Sequence, residues 1–566
     1  MNKQWNIRKH DYDKVSELSS AIGVPPLVAA LLISRGFGSE SDARRFLQPS
    51  LDDLNEPFLL KGMERAVARI RAAIDAGQKI LIWGDYDVDG TTGTVLLRKA
   101  LASLGASTSF HIPNRFTEGY GLNQEYLAKA KADGVGLVIT VDCGTRSFDP
   151  IAWAQENGLD VIVTDHHLSD PERGIPAAAA VVNPNQAGCE YPDKQLAGVG
   201  VALKLAQAQI GDGGHPEQMN EFLEIAAIGT VADVMKLTGE NRSIVSLGLR
   251  QLTRTRNYGL RALMEISDCT AEMTSLHIGF RIAPRINAAG RMDVARHVVE
   301  LLESSEPASA RRFAGLLDSR NRERQRMQQE ITEKALLEAV QFPGHRFVVV
   351  GGEGWHRGVI GLAASKIAEK LNKPAIVLSI ENGVAHGSAR TVGDFHLLNA
   401  LENCSDIFVQ FGGHAAAAGL QIETSRVDEL RKRLDEFTRT ALGDSDPMPV
   451  LNIDAVVTSD TLGLDLLDRL SCLEPFGVGN SKPVFVTRGL TLLRDPLVMK
   501  EKHLKFDLVD ANRKRFEAVW WDGVERSNGQ TFAPGTGIEL AYTADANTWQ
   551  GVRRLQLVVE DLNIHT

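Results

Sequence analysis

The stretch "GDYDVDG", residues 84 to 90, places Asp85, Asp87 and Asp89 at alternate positions and ends on a glycine. Carboxylates this close repel one another unless a cation neutralises them. The stretch therefore predicts either a cation site or an acidic surface loop that caps a helix beginning near Thr91. The neighbouring sequence has to decide between the two.

A calcium-binding helix–loop–helix hand opens with the same pattern and closes with a glutamate at position twelve. Counted from Asp85, that position is Leu96. The segment before the acidic residues, "KILIWG" (79–84), is an apolar run typical of a buried strand, whereas a calcium hand requires a helix there. Both observations exclude a calcium hand.

From Lys79 onward, short apolar runs alternate with amphipathic helical stretches. Apolar strands separated by helices predict a parallel sheet that is covered on both faces. Such sheets bind ligands at the carboxyl ends of their strands. The runs are "KILIWG" (79–84), "SFHIP" (109–113), "GLVITVDCG" (136–144), "LDVIVTDHH" (159–167) and "AAVVNP" (179–184).

Potential metal ligands follow three of these runs. The acidic stretch comes after the first run, Asp142 after the third, and Asp165, His166 and His167 after the fourth. Because the ends of parallel strands meet at one edge, we expect a metal site there. Asp233 in "IGTVADV" follows an apolar helical stretch and, taken alone, indicates a helix terminus or a turn.

The composition fits an ordinary globular protein of 566 residues, long enough for three to four domains. Five scattered cysteines without CxxC spacing predict neither disulfides nor structural zinc, and favour the cytoplasm. No apolar run predicts a signal or a membrane span. The net charge of -10 is only a mild argument against nucleic acid, because bound cations would offset clustered acids.

The rest of the chain divides by pattern. Residues 306–341 are charged on every face in their middle, which contains neither glycine nor proline, and this predicts a long connecting helix that crosses solvent between two domains. Its apolar ends (Phe313, Leu316, Leu317; Ile331, Leu336, Leu337) would dock on the domains at either side. A second α/β unit and a β-rich barrel follow. The predicted boundaries are 1–60, an N-terminal segment packing on the catalytic domain; 61–305, the catalytic domain; 306–341, the connecting helix; 342–446, the second α/β domain; and 447–566, the barrel.

The motifs "DYDVDG", "VTDHH" and "GTVAD", together with "LAGVGVA", "GFRIAPRINAAGRMD", "EGWHRGVIGLAASKI" and "FGGHAAAAG", occur here in one order along the chain. In them the sequence resembles the DHH phosphoesterase superfamily, and within it the bacterial exonucleases specific for single-stranded DNA. The resemblance runs nearly end to end. It implies an α/β fold with a parallel-sheet DHH domain, a DHHA1 domain and an oligonucleotide-binding (OB) barrel. "VADVMKL" departs from the usual Val-Pro continuation, beyond the ligand.

The resemblance also implies two divalent ions, Mn²⁺ or Mg²⁺. Asp85 and Asp87 would hold one ion, Asp89, His166 and Asp233 the other, and Asp142 would bridge them. Carboxylates with one imidazole suit these ions better than zinc. Asp165 would orient an imidazole, and His167 would face the scissile phosphate. The expected catalytic residues are Asp87, Asp89, Asp142, His166 and His167.

Further residues are expected to bind the substrate. Arg115 would contact a phosphate, and Tyr120 would stack on a base unless it packs in the core. Arg285 and Arg291 would present guanidinium groups at either side of a small-residue turn, and Asn287 is a third candidate in the same segment. In the second domain the candidates are His356, Ser388, Arg390 and His414. A tight turn is the alternative for His414, and a structural ion pair the alternative for Arg390.

The expected activity is two-metal hydrolysis of single-stranded DNA from its 5′ end, releasing 5′-mononucleotides in repair and recombination. The alternatives are a DHH hydrolase of short oligonucleotides or pyrophosphate, and a non-catalytic DHH scaffold in replication. The resemblance further implies a single-strand-binding protein and a RecQ-type helicase as partners. A monomer without membrane contact is expected.

Overall fold

The chain begins with a strand and three helices, which precede the first α/β domain. The computed structural model describes residues 3–115, 117–211, 216–269, 272–292, 295–393, 395–443, 449–549 and 552–565. The first elements are β1 (Gln4–Ile7), α1 (Tyr12–Ile22), α2 (Pro26–Ser34) and α3 (Glu40–Leu47). In the described ranges no single helix is long and apolar enough to cross a membrane; α1 and α2 would meet that test only together, bent by 111°.

The first α/β domain contains a five-stranded sheet in the order β3-β2-β4-β5-β6, in which every pairing is parallel. Each of the five apolar runs overlaps one of these strands, so the predicted sheet is confirmed. The elements are α4 (Met63–Asp75), β2 (Lys79–Gly84), α5 (Val88–Ser103), β3 (Thr108–His111), α6 (Gln124–Ala132), β4 (Val135–Val141), α7 (Phe148–Glu156), β5 (Asp160–Thr164), β6 (Ala180–Val182), α8 (Gly198–Ile210), α9 (Pro216–Ala232), α10 (Gly239–Leu252), α11 (Tyr258–Ile266), α12 (Ser275–His277), a π-helical segment (Ile278–Ile282), α13 (Ala283–Arg291) and α14 (Arg296–Leu302).

Helices cover both faces of this sheet. Ile80 and Ile82 of β2 belong to one core, which includes residues of α4, α5, α8 and α9. Leu81 and Trp83 belong to a second core with residues of α6 and α7. Successive side chains of a strand point to opposite faces, so a strand that is buried on both sides is apolar throughout.

The long helix α15 (Pro307–Ala339) has 33 residues and links the two α/β domains. Leu317 and Ile331 are buried near its two ends, as expected, but Leu337 is 73% exposed and the expectation that it docks is wrong. The middle is not solvated all round either, because Asp318 and Asn321 are buried. Asp318 forms an ion pair with Arg285 of α13, at 2.9 Å between Nε and Oδ1.

The second α/β domain has a mixed sheet in the order β10-β11-β9-β8-β7, in which only the pair of β7 and β8 is parallel. The predicted strands are present, and one helix separates β7 from β8. The elements are β7 (Val348–Glu353), α16 (Arg357–Leu371), β8 (Ala375–Glu381), β9 (Val384–Arg390), α17 (Leu397–Glu402), β10 (Phe408–Gly413), β11 (Ala417–Glu423) and α18 (Val427–Leu442).

The C-terminal barrel is a seven-stranded sheet, β13-β14-β18-β19-β17-β16-β15, closed by an additional pairing of β14 with β16. The aromatic side chains of Phe506, Phe516 and Trp520 lie in its core. Its elements are β12 (Val450–Ile453), β13 (Ala455–Val456), α19 (Leu464–Ser471), β14 (Val484–Leu492), β15 (Leu497–Met499), β16 (His503–Val509), β17 (Arg515–Trp520), α20 (Gly523–Arg526), β18 (Gly537–Trp549) and β19 (Val552–His565).

The N-terminal segment packs on the barrel, contrary to the expectation that residues 1–60 pack on the catalytic domain. Strand β1 pairs in parallel with β12, with Trp5 opposite Leu451. Helices α1 to α3 share a hydrophobic core with the barrel strands. The reason lies in α2, where Val28 to Leu32 are all buried, so this helix must be covered on all sides. The connection to α4 also contacts the first domain, where Leu60 enters the core.

Arg242 of α10 joins the first domain, the N-terminal helices and the barrel. Its buried guanidinium donates hydrogen bonds to the carbonyl oxygens of Phe46, Leu473 and Glu474 at 2.7, 3.2 and 2.7 Å. It also lies 3.5 Å from the centroid of the Phe46 ring. Burial lowers its pKa to about 9. The Arg242 side chain thus provides hydrogen-bond donors for buried carbonyl groups of both the N-terminal helices and the barrel domain.

We expect Arg242→Met to destabilise the protein strongly. Methionine fills much of the space but leaves buried carbonyl groups without donors, at about 1–3 kcal/mol for each group. Denaturant unfolding followed by tryptophan fluorescence will measure the loss. Arg250→Met, on an exposed position of the same helix, is the matched control. A loss equal to that of the control would contradict the joining role of Arg242.

Candidate metal centre and substrate cleft

The acidic stretch lies where β2 ends and α5 begins. Asp87 is the N-cap of α5 and accepts a hydrogen bond from the Gly90 amide at 3.0 Å. The helix therefore begins at Val88, three residues before the predicted Thr91. Asp85 precedes the cap and Asp89 lies in the first turn, and both side chains are buried. The stretch is thus a helix cap and also a cluster of buried carboxylates.

The buried Asp89 carboxylate is fixed by the first turn of α8. Its two oxygens accept hydrogen bonds from the backbone amides of Gly198 and Val199, at 2.6 and 2.7 Å. A Cβ atom on Gly198 would lie 2.5 Å from the Cβ of Asp142, so only glycine permits this approach. Gly198 is not among the residues predicted from the sequence, although the spaced glycines of "LAGVGVA" are a signal of close backbone contact.

Asp142, His166 and Asp233 complete the cluster. Asp142 follows β4 with a φ of 63°, a left-handed conformation that aspartate tolerates better than most residues. The Nε2 atom of His166 lies 3.1 Å from an Asp142 oxygen and 3.5 Å from an Asp233 oxygen. Asp233 follows the last residue of α9. The structure therefore brings all six predicted metal-ligand residues together.

Among the described residues, three groups of side chains have ligand atoms within 4.8 Å of one another: Asp85, Asp87 and Asp142; Asp89, His166 and Asp233; and Asp142, His166 and His167. Asp85, Asp142 and Asp233 each have a buried oxygen that accepts no hydrogen bond in the described part of the chain. Buried oxygens without donors are costly unless a cation satisfies them. This donor set, mainly oxygen with imidazole, suits Mn²⁺ or Mg²⁺.

The electrostatics of the cluster also favour a cation. Burial, followed by neighbouring carboxylates, raises the pKa values of Asp85, Asp89 and Asp142 well above their ordinary value. Burial likewise raises the pKa of Asp233 to about 7. Burial lowers the pKa of His166 to about 4, so this imidazole is neutral and available as a ligand at neutral pH. Without a cation, the folded chain favours protonated carboxyl groups.

We expect the metal-free protein to lose thermal stability between about pH 6.5 and 8. When folding raises the pKa of a carboxyl group, the group's contribution to stability is fully present below its ordinary pKa. The contribution is lost as the pH rises through the raised pKa, which is about 7 for Asp233. His166, whose folded-state pKa is about 4, makes stability rise with pH mainly below pH 6.5, so its opposing effect fades within this window. Differential scanning fluorimetry in EDTA will measure the trend, and Mn²⁺ should reverse it.

Asp233→Asn is the control for this titration, since it removes one ionisable group and keeps the shape of the side chain. Its metal-free melting temperature should depend less on pH than that of the wild type. A wild-type melting temperature that rises with pH in EDTA would contradict the assignment.

Asp165 orients the second histidine of the "DHH" motif. Its Oδ1 lies 2.7 Å from Nδ1 of His167 and accepts from the backbone amides of both histidines. Burial disfavours the charged histidine, yet the bond to Asp165 prevails and raises the pKa of His167. Asn183 and Asn185 donate to the His167 and His166 carbonyl oxygens, at 2.9 and 2.6 Å. These asparagines lie in "VVNPN" and are not among the site residues predicted from the sequence.

A cleft of about 290 Å³ opens over the cluster. Besides the acidic residues, it is lined by Arg115, Tyr120, His167, Asn287 and Arg291. Tyr120 is 53% exposed and donates a hydrogen bond to the Asp142 carbonyl oxygen at 3.2 Å, which excludes the core-packing alternative.

Arg291 of the first domain lines the cleft and also contacts the second domain. The Arg291 guanidinium donates to the Gly358 carbonyl oxygen of α16 at 2.9 Å. Its pKa falls to about 10, first by burial and then by the nearby charges of Arg115, Arg324 and Arg390. Arg390 donates a hydrogen bond to the Ser388 hydroxyl at 3.0 Å. It forms no ion pair with any residue in the described ranges, so the alternative that Arg390 makes a structural ion pair is wrong. His356 caps α16 and accepts from the Gly358 amide.

Arg285 and His414 do not line the cleft, and neither do the second-domain residues His356, Ser388 and Arg390. Arg285 pairs with Asp318, as described above. The segment "PRINAAGR" lies in helix α13, so the predicted turn is wrong. Its small residues let the helix approach the backbone of Tyr86: a Cβ atom added to Gly290 would lie only 2.3 Å from the Tyr86 carbonyl oxygen. His414 lies in the exposed turn between β10 and β11, and its amide donates to the Ala417 carbonyl oxygen. This agrees with the tight-turn alternative.

Comparison with known protein families gives three matches. Residues 79–230 match the DHH family, N-terminal domain; residues 344–440 match the DHHA1 domain; and residues 453–561 match the RecJ OB domain. The "single-stranded-DNA-specific exonuclease RecJ" of Bacillus subtilis strain 168 is 39% identical over 99% of this chain and 70% of its own length. The protein of the same name from Escherichia coli K12 is 33% identical over 99% of this chain and its whole length.

Solved structures give the same result. The crystal structure of RecJ in complex with Mn²⁺ from Thermus thermophilus has a TM-score of 0.84 and 29% identity. The match covers 99% of this chain and 79% of that chain. A structure of the same protein with Mg²⁺ matches with a TM-score of 0.79.

Proposed function

The chain belongs to the RecJ family of single-stranded-DNA-specific exonucleases, and from this premise we propose that it degrades single strands from the 5′ end and releases 5′-mononucleotides in repair and recombination. The observation that carries the proposal is the cluster at the strand ends. Buried carboxylate oxygens without donors lie there beside guanidinium groups from two domains. Cations and phosphates are the two ligands that such a site accommodates.

In the proposed site, Asp85 and Asp87 would hold one divalent ion, and Asp89, His166 and Asp233 would hold the other. Asp142 is close to both groups and would be shared. When bound, the two ions supply an activated water and stabilise charge on the attacking and leaving oxygens. Asp89 is kept in place by the amides of α8, and the neutral His166 offers its Nε2 lone pair.

The remaining residues bind and orient the substrate. His167, held through Nδ1 by Asp165, donates a hydrogen bond to the scissile phosphate with its other nitrogen. Arg115, Arg291 and Arg390 bind the terminal phosphate, and Tyr120 supports the terminal base. Hydrolysis breaks the bond from phosphorus to the 3′-oxygen of the leaving nucleotide, so the shortened strand carries a new 5′-phosphate.

Because the substrate is a single strand, duplex DNA must be unwound first. We therefore propose a RecQ-type helicase and a single-strand-binding protein as partners, as the family implies. The five free cysteines support the cytoplasm as the site of action. We propose a monomer, since one chain provides all the ligands of the cluster.

The test uses single strands labelled at the 5′ or the 3′ end, with Mn²⁺ and with EDTA. We expect labelled mononucleotides to appear at once from the 5′-labelled strand only, and only with the metal. Cleavage restricted to short oligonucleotides would indicate the small-substrate hydrolase. Absence of any hydrolysis would indicate the scaffold, and equal release from both ends would overturn the polarity.

A further inference from the structure

An apolar groove lies beside the metal cleft and has no part in the proposed chemistry. Four of its residues are substantially exposed: Phe280 at 78%, Val234 at 65%, Leu276 at 50% and Val478 at 44%. Its volume of about 540 Å³ falls within the range of about 300–1,000 Å³ that is typical of organic ligand sites. Exposed apolar residues clustered in this way mark an interaction site.

The groove is continuous with the cleft, because Asn287 and Arg291 line both. Val234 directly follows the proposed ligand Asp233. The opposite wall is the barrel loop Phe476–Val478, which is attached to the first domain by a 2.7 Å hydrogen bond from the Leu237 amide to the Val478 carbonyl oxygen. The groove therefore leads from the metal cluster towards the barrel.

The backbone around the groove is unusual at two positions. Val234 has a φ of 60°, a left-handed conformation that a β-branched residue rarely adopts. Phe280 lies in the π-helical segment, an irregularity that is frequent at functional sites. Both irregularities place apolar side chains at the surface, where they contribute little to the core. Such strain persists at functional sites when the surrounding structure enforces it.

We propose that this groove is a stacking subsite for the bases immediately 3′ of the scissile phosphate, with Phe280 as its platform. The proposal rests on the proposed function and defines where the uncleaved strand lies. Every base has an apolar face, so an apolar groove holds the strand without reading its sequence. Arg291 and Arg324 line the same groove and supply positive charge for the strand's phosphates. This basic rim distinguishes the groove from a docking site for a basic or purely apolar protein segment.

The experiment uses 2-aminopurine placed at the second nucleotide from the 5′ end or at a distal position of a strand protected by 5′ phosphorothioate linkages. We expect binding to quench the fluorescence of the second nucleotide in wild type, and Phe280→Ala to abolish that quenching. Phe280→Trp should preserve it. Tyr12→Ala, which removes an aromatic ring exposed at 84% on α1 outside the cleft, is the control. Equal quenching in wild type and Phe280→Ala would overturn the proposal.

A second measurement compares binding of an intact strand with that of a strand that is abasic at the second nucleotide. In wild type the missing base should weaken binding by about fivefold to 150-fold, the range of one base stacked on an aromatic ring. In Phe280→Ala the same change should have little effect. An equal penalty in both proteins would contradict the subsite. It would also be contradicted if Phe280→Ala changed only the oligomeric state of the protein, as measured by sedimentation, and not its binding of the strand. Both readouts measure binding, so they remain decisive even if the bound protein hydrolyses the strand slowly or not at all.

Discussion

Asp142→Asn should lower nuclease activity by at least about 100-fold, since even residues that only support a metal ligand change affinity or activity by about 10–100-fold. Asp142 belongs to two of the three ligand groups, so its loss weakens both ion positions together. Asparagine tests the role of the carboxylate more directly than alanine, because it changes the charge without straining the backbone. With a φ of 63°, the position favours asparagine or aspartate, whereas alanine would add backbone strain.

The same variant should be more stable than wild type in the absence of metal. Burial and the neighbouring Asp89, Asp87 and Asp85 raise the pKa of Asp142, so at neutral pH the wild type must take up a proton or bury a charge when it folds, and asparagine does neither. Thermal unfolding in EDTA tests this, and steady-state release of nucleotides tests the activity. Asp160→Asn, on an exposed residue of the same sheet, is the matched control. Activity of Asp142→Asn within tenfold of wild type would exclude Asp142 as a shared ligand.

Arg390→Ala should remove most of the preference for a 5′-phosphate over a 5′-hydroxyl end. A hydrogen bond to a charged group contributes about 1.5–3 kcal/mol, which corresponds to roughly 10- to 150-fold in the ratio of kcat/KM values. Two divalent ions do not distinguish the two directions of a strand, so a terminal group must be recognised by the chain. Each cleavage regenerates a 5′-phosphate, so this recognition would operate at every cycle.

Arg433→Ala is the control for this variant, because Arg433 belongs to the same domain but pairs with Asp406 at 2.8 Å. Competition between phosphorylated and unphosphorylated strands will measure the preference, and Mn²⁺ titration of each variant will test the metal site. If Arg390→Ala keeps the full preference, or loses Mn²⁺ affinity to the same extent as activity, Arg390 does not read the terminus.

The parallel sheet and the ligand cluster could be predicted because both depend on local patterns. Five apolar runs set the strands, and the acids that follow them necessarily meet at one edge. Gly198, Asn183 and Asn185 escaped prediction because their roles depend on contacts between segments distant in sequence. The assignment of Arg285 to the substrate failed for a related reason, since its partner Asp318 is buried in a helix that appeared solvated from its charge pattern.

The position of the N-terminal segment could not be inferred from local sequence either. Helix α2 is apolar all round, which predicts burial but not the partner. The partner is the barrel, whose first strand lies far along the chain, as the pairing of Gln4 with Val450 shows. No periodicity within either segment encodes this pairing. Only the register of β1 with β12 and the shared core define it.

The pairing of β1 with β12 has a consequence for synthesis of the protein on the ribosome. The first strand and its apolar helices emerge early, but their partner follows only after Val450 has been added. At about 5–20 residues per second, this delay is on the order of 20–90 s. Throughout that time the nascent chain exposes the apolar side chains of α2, a surface suited to chaperone binding. Folding of the chain's two ends therefore has to be post-translational or nearly so, whereas the first α/β domain can fold while translation continues.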